Sequence, residues 1–159
     1  MKTKLTSTLL VAGIIAMAAP LVYAASVHFK GGPPRFTDNG QTLTTCFSLA
    51  GLGNKDVTIT IVAKGTISTI CTNRGGNVAP GQNKTPFSAV ETKTVPSTQI
   101  KNGNLSVCLT TDPPSTPSAE EAGCPNGNWT TSISGIDFSS AQITVEQGGK
   151  VVLSRTFTL

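Results

Sequence analysis

Val57-Thr58-Ile59-Thr60-Ile61-Val62-Ala63-Lys64 alternates with a period of two. Val57, Ile59, Ile61 and Ala63 share one parity, and Thr58, Thr60 and Lys64 oppose them. In an extended chain, successive side chains point to opposite faces, so this pattern buries one face and wets the other. The same alternation appears on both sides of it. Leu43, Thr45, Phe47 and Leu49 oppose Thr44, Cys46 and Ser48; Leu105, Val107 and Leu109 oppose Ser106, Cys108 and Thr110. Helical periodicity is hard to find after residue 24. Strand signals about every ten residues, without helices between them, predict an all-β, immunoglobulin-like two-sheet sandwich of roughly seven to eight antiparallel strands.

The punctuation agrees. Asn39-Gly40 and Asn102-Gly103 are turn dipeptides between strand-like runs. Asn73–Lys84 and Asp112–Asn128 are rich in Gly, Asn or Pro and read as two long loops. At the C-terminus, Ile143 and Val145 precede Gln147-Gly148-Gly149, and Val151, Leu153 and Phe157 follow it. A three-residue loop there pairs Glu146 with Lys150, Val145 with Val151 and Ile143 with Leu153. That register sets apolar against apolar, so it is preferred over a two-residue Gly-Gly loop.

The beginning of the chain speaks to destination. Lys2 and Lys4 precede an apolar run from Leu9 to Ala19, and Val22-Tyr23-Ala24 offers a small-residue cleavage site. This order predicts a secretory signal peptide over 1–24. The run is short for a membrane span of about 20 residues, and no span is expected after cleavage. Residues 25–41 would lead into the first strand, and 42–159 would form one β-sandwich domain. The destination is secreted or periplasmic, where thiols oxidise.

The four cysteines allow three pairings. Cys46 and Cys108 lie on the parity opposite the apolar residues of their strands, so they can meet across neighbouring strands. Cys71 and Cys124 read as loop residues. Pairing strand with strand and loop with loop predicts Cys46–Cys108 and Cys71–Cys124. Each closure contributes about 4 kcal/mol in the chain-entropy treatment.

Several chemistries lack their parts. The formal charge of +4 at pH 7 falls when Lys2 and Lys4 are removed, and the other basic residues are scattered singly. No stripe tracks a phosphate backbone, so nucleic acid is not an expected partner. His28 is the single histidine and lies before the first clear strand. Serine or cysteine triads, zinc motifs and phosphate loops are all missing from the sequence, and no cofactor or metal is expected. The carboxylates Asp38, Asp56, Glu91, Asp112, Glu120, Glu121, Asp137 and Glu146 form no evident acid–base pair. Asp112, Glu120, Asn126 and Asn128 could offer oxygens to calcium, but without regular spacing. The expectation is a non-enzyme.

A rigid sandwich presents ligands from its loops. The candidate binding residues are therefore Asn73, Arg74 and Asn77 in the first loop, and Asp112, Glu120, Glu121 and Trp129 in and beside the second. Trp129 reads first as a core anchor, with a stacking platform as the alternative. The expected partner is a protein or a glycan outside the cytoplasm. Two alternatives stand beside a binding or structural protein. One is a self-assembling surface subunit, pilus-like or of a matrix, that adds a strand from Ser26–Thr37; the other is a small carboxylate-based hydrolase.

Some segments carry a resemblance. They are Gly31-Gly32-Pro33-Pro34 to Asp38-Asn39-Gly40, Gly51-Leu52-Gly53-Asn54-Lys55-Asp56-Val57, Cys71-Thr72-Asn73 with Pro80-Gly81-Gln82-Asn83, and Cys124-Pro125-Asn126. In these the chain resembles small exported bacterial β-sandwich proteins of unassigned function. The resemblance implies export and a compact β-domain, and it brings no functional residues with it.

Overall fold

A computed structural model describes residues 26–159; the expected leader, 1–24, lies outside the described residues. The strands are β1 (His28–Phe29), β2 (Arg35–Asp38), β3 (Leu43–Ala50), β4 (Val57–Thr72), β5 (Val78–Pro80), β6 (Thr85–Val95), β7 (Leu105–Thr110), β8 (Thr130–Gln147) and β9 (Lys150–Thr158). They form a four-stranded and a five-stranded sheet, both antiparallel. In the first, β1 and β2 lie along one side of β3 and β7 along the other. In the second, β5 and β6 lie along one side of β4, and β8 and β9 follow on the other.

β1 with β2, and β5 with β6, are each one interrupted strand. Counted so, seven paths divide three against four, an immunoglobulin-like sandwich. The fourth path, β5/β6, sits beside the third, whereas constant-type immunoglobulin domains place it in the sheet of the first, second and fifth. Within the segment expected to lead into the first strand, His28–Phe29 and Arg35–Asp38 form an edge of the smaller sheet.

The alternation does what its period requires. Val57, Ile59 and Ile61 of β4 are fully buried, and they pack with Leu49, Val107, Ile143 and Val145 between the sheets. Phe29 meets Phe47 at 5.5 Å and Phe157 at 5.7 Å between ring centroids, and Phe36 meets Phe157 at 5.4 Å. These rings close the side where β1/β2 faces β9, adding edge-to-face attraction to area burial.

The larger sheet outgrows the smaller one. Beyond Ala63, which packs against Leu43, β4 runs on for nine residues to Thr72. The inward face of this extension holds Ile67, Thr69 and Cys71, all buried. What covers it is the loop from Thr111 to Trp129. The loop starts at a docked Thr111, whose N–H donates to Leu43 O (3.0 Å) and whose Oγ1 accepts from Leu43 N–H (3.1 Å). Buried Pro117 then accepts at its carbonyl from Thr131 Oγ1. Ala122 is fully buried, and its carbonyl accepts from Asn83 N–H at 3.1 Å. Cys71, read from sequence as a loop residue, is an inward-facing β4 residue. Asn73–Lys84, read as a continuous loop, contains β5.

β8 is re-phased twice. Register shifts occur opposite Lys64/Gly65 and opposite Ser68/Thr69, so one β8 residue is passed over at each. Gly65 sits at the first bulge, between Phe87 and Phe138, whose rings meet edge-to-face at 5.5 Å. A Cβ on Gly65 would lie 2.1 Å from Asp137 O and 2.9 Å from Phe87 Cε1. Only glycine permits that approach.

The terminal hairpin departs from the expected register. Gln147 pairs with Lys150, Glu146 with Val151, Val145 with Leu153 and Ile143 with Arg155. The loop is two residues, Gly148 (φ 61°) and Gly149 (φ 77°). Positive φ at both central positions suits the tight turn that matches strand twist. A bulge after Val145 then passes over Val152 and returns Leu153 to an apolar partner. The Glu146–Lys150 pairing is therefore not formed.

Candidate binding site at the joined loops

Both disulfides form in the expected pairing. Cys46–Cys108 links directly opposed residues of β3 and β7, with Cα atoms 4.1 Å apart. Cys71–Cys124 spans 5.8 Å between Cα atoms and fastens the covering loop to β4. Its geometry depends on a single helical turn. Ser118 Oγ accepts from Glu121 N–H at 3.2 Å, while Glu121 Oε2 accepts from Ser118 N–H and Oγ–H, each at 2.8 Å. That reciprocal pair is a capping box. The turn ends with Gly123 N–H donating to Glu120 O (3.0 Å) and Cys124 N–H to Ala119 O (2.8 Å), with Gly123 at φ 67°. These are the bonds of a Schellman stop. The turn delivers Cys124 against Cys71.

Glu121 accordingly has its pKa lowered, first by the Ser118 backbone N–H and then by the Ser118 hydroxyl; partial desolvation opposes them. It acts as a cap. The Ser-x-x-Glu spacing and the glycine two residues later were legible signals that the reading of Asp112–Asn128 as a long loop passed over.

At the far end of the larger sheet, β4 and β5 are joined by a turn organised by Asn73. Asn73 Oδ1 accepts from Gly75 N–H and Asn77 N–H, both at 2.9 Å, and Asn73 N–H donates to Asn77 O at 3.0 Å. Asn77 thus serves the turn, and Arg74 is exposed at its tip. Across from it, Asn126 Oδ1 accepts from Asn128 N–H at 3.0 Å, and Asn126 O accepts from Trp129 N–H at 3.3 Å. Thr130 Oγ1 donates to Thr72 O at 3.2 Å and holds the two segments together. Between them is an open hollow of about 280 Å³, lined by Asn73, Arg74, Gly75, Asn126, Asn128 and Trp129.

The expected site residues therefore separate. Asn73, Arg74 and Trp129 converge, with Asn77 behind them in the turn. Asp112 follows the docked Thr111, and Glu120 and Glu121 belong to the capped turn. Trp129 is half-buried and lies outside both hydrophobic clusters, so its indole is a wall of the hollow and not a core anchor. Asn126 and Asn128, weighed from sequence as cation ligands, are wall residues too.

The charge of the hollow is one-sided. The side-chain oxygens of Asn73 and Asn126 are engaged in their own turns, which leaves their NH2 groups as unused donors, while the Asn128 amide is free to donate and to accept. Arg74 adds a guanidinium and Trp129 an indole N–H and a flat face. No carboxylate lines it. Among the described residues, no three His, Cys, Asp or Glu side chains are gathered as a metal site, and no helix is long and apolar enough to cross a membrane.

A comparison with protein-family models finds no match to the chain, and a search of curated proteins finds none either.

Proposed function

We propose that the chain is an exported, non-catalytic binding protein that takes an acidic glycan in the hollow between the Asn73–Asn77 turn and the Asn126–Trp129 segment. One observation carries the reading: Trp129 and Arg74, on two segments joined by the Cys71–Cys124 disulfide, share a hollow lined by asparagine amides and by no carboxylate. An indole stacks on the apolar face of a sugar ring, amide NH2 groups donate to its hydroxyls, and a guanidinium takes a carboxylate in a forked bond. The Cys71–Cys124 bridge restrains both walls before the ligand arrives, which lowers the ordering entropy of recognition. Export rests on the leader-like order of residues 1–24 and on the oxidised cysteines. The resemblance to exported bacterial proteins points the same way.

The self-assembly alternative is less favoured, because the proposed donor segment is occupied. Within Ser26–Thr37, His28–Phe29 and Arg35–Thr37 pair with β3 of the same chain.

Trp129 is the sole tryptophan, so its fluorescence reports the site directly. Titration with oligogalacturonate is expected to give a saturable change, at least tenfold weaker in Arg74→Ala, with a neutral oligosaccharide of equal length binding more weakly. An absent response, or equal responses to both sugars, overturns the acidic-glycan reading.

A further inference from the structure

A second hollow, on the outer face of the smaller sheet, has a disulfide in its floor. Its volume is about 400 Å³, and the Cys46–Cys108 bridge lies between the strands beneath it. Cys108 is exposed and Cys46 half-buried. One wall is the Lys30–Pro34 interruption between β1 and β2, where Gly31 (φ 80°) and Gly32 (φ 119°) swing the chain outward. Lys30 and Arg35 stand at this wall, and no carboxylate lines the hollow. Lys30 Nζ is held by Asn104 Oδ1 at 3.0 Å. Arg35 pairs in register with Cys46.

The bridge is not needed to hold its strands together. β3 and β7 are paired over six residues, from Thr44↔Thr110 to Leu49↔Leu105. Hydroxyl pairs flank the disulfide on the same face: Thr44 with Thr110 at 2.8 Å and Ser48 with Ser106 at 2.7 Å. The other bridge is different in kind, since Cys71 is fully buried beneath the covering loop.

We infer that this hollow is a thiol-exchange site, in which a small carboxylate-bearing thiol opens Cys46–Cys108 and is held as a mixed disulfide. The thiolate attacks Sγ of Cys108, the exposed partner. A new bond forms between the incoming sulfur and Cys108 Sγ as the Cys46–Cys108 bond breaks, and Cys46 leaves as a thiolate beside Arg35. One disulfide and one thiolate become one disulfide and one thiolate, so no external oxidant or reductant enters. Attack by Cys46 on the mixed disulfide reverses the step. Exchange is faster when the leaving thiolate is stabilised and the attacking thiolate is concentrated locally, and the two cations serve both needs. The paired strands keep the partner cysteines adjacent throughout.

The test uses the intact oxidised protein with glutathione, 2-mercaptoethanol or cysteamine, at matched thiolate concentration. The reaction is quenched with N-ethylmaleimide and mapped by mass. The expected product carries one glutathione on Cys108 and one maleimide on Cys46, with Cys71–Cys124 intact. Its formation should be at least tenfold faster than with cysteamine, and 2-mercaptoethanol should fall between. The preference should collapse in 1 M salt and in Lys30→Ala/Arg35→Ala, two surface substitutions whose folding is checked by circular dichroism. The salt arm needs no variant. Simultaneous opening of both bridges, no adduct on the folded protein, or rates independent of thiol charge would each overturn the inference.

Discussion

The side-chain amide of Gln147 forms a two-way bond with the backbone of Gly53. Its Oε1 accepts from Gly53 N–H at 2.7 Å and its Nε2 donates to Gly53 O at 3.1 Å, with a further bond to Lys55 O at 2.7 Å. A residue at the end of β8 thereby fastens the loop between β3 and β4, which connects the two sheets. Gln147→Ala removes all three bonds at a wet site, where water replaces part of each. The expected loss is about 1–2 kcal/mol, read as a lower urea midpoint with an unchanged slope. Gln147→Glu keeps the acceptor and loses both donor bonds, so it should be destabilised as well.

Thr45 is fully buried in β3, and its Oγ1 has no hydrogen-bond partner. An unpaired buried hydroxyl carries its desolvation cost without return. Thr45→Val keeps the shape and removes the hydroxyl, and should stabilise the protein by about 1 kcal/mol. Thermal unfolding of the variant checks the sign.

Gly65→Ala should be among the most damaging single-methyl additions. The added atom would collide with Asp137 O, which is backbone in a long paired strand that cannot step aside, and would crowd the Phe87 ring. The expected loss is about 3 kcal/mol. Gly127→Ala, where a Cβ meets nothing within 4 Å, serves as the matched control and should unfold at nearly the wild-type urea concentration.

The capped turn should respond to acid. Glu121 is lowered by the Ser118 backbone N–H first and the Ser118 hydroxyl second. A carboxylate whose folded-state pKa is depressed stabilises fully above its unfolded value, and that contribution disappears as pH falls through the depressed folded value. The amides of Ala122 and Cys124 should therefore lose protection, relative to their intrinsic exchange rates, as pH drops through that window. In Ser118→Ala the carboxyl titration should move only part of the way back, because the backbone donor remains. A full return, or none, would contradict this order of causes.

Cys71→Ala/Cys124→Ala should release the covering loop and spare the sandwich. Chain entropy puts the upper bound of the loss at about 4 kcal/mol. Hydrogen exchange should rise in 112–129 while the amides of β3 stay protected, and binding at Trp129 should weaken. Unchanged binding in the folded variant would remove the bridge from the recognition argument.

The parts legible in the sequence are those where the period of two runs unbroken. β3, β7 and the first half of β4 bury the residues their parity names, and the same parity found the Cys46–Cys108 pair. β8 was legible only near Ile143 and Val145. Its inward residues Ile133, Ile136, Phe138 and Ala141 are spaced by three, two and three, because each bulge passes over one residue. Parity analysis has no signal for that. The covering loop was hidden for another reason: a proline-rich segment looks the same whether it is solvated or folded onto an unpaired sheet. The convergence of Arg74 with Trp129 follows from that covering, and so does the place of Asn126 and Asn128 beside them, which sequence spacing alone does not reveal.

The two bridges overlap along the chain: Cys71 lies inside the first span and Cys124 outside it. A single peptide cleavage anywhere between Cys46 and Cys124 therefore yields two pieces that stay covalently joined. A nick at Lys55, exposed in the loop between β3 and β4, severs the only main-chain link between the first three strands and the rest, yet Cys46–Cys108 keeps them attached. Were that bridge opened by a thiol, the same nick would leave the amino-terminal piece held only by strand pairing and the shared core. Whether a nicked molecule survives denaturation as one covalent unit thereby depends on the outer-face disulfide.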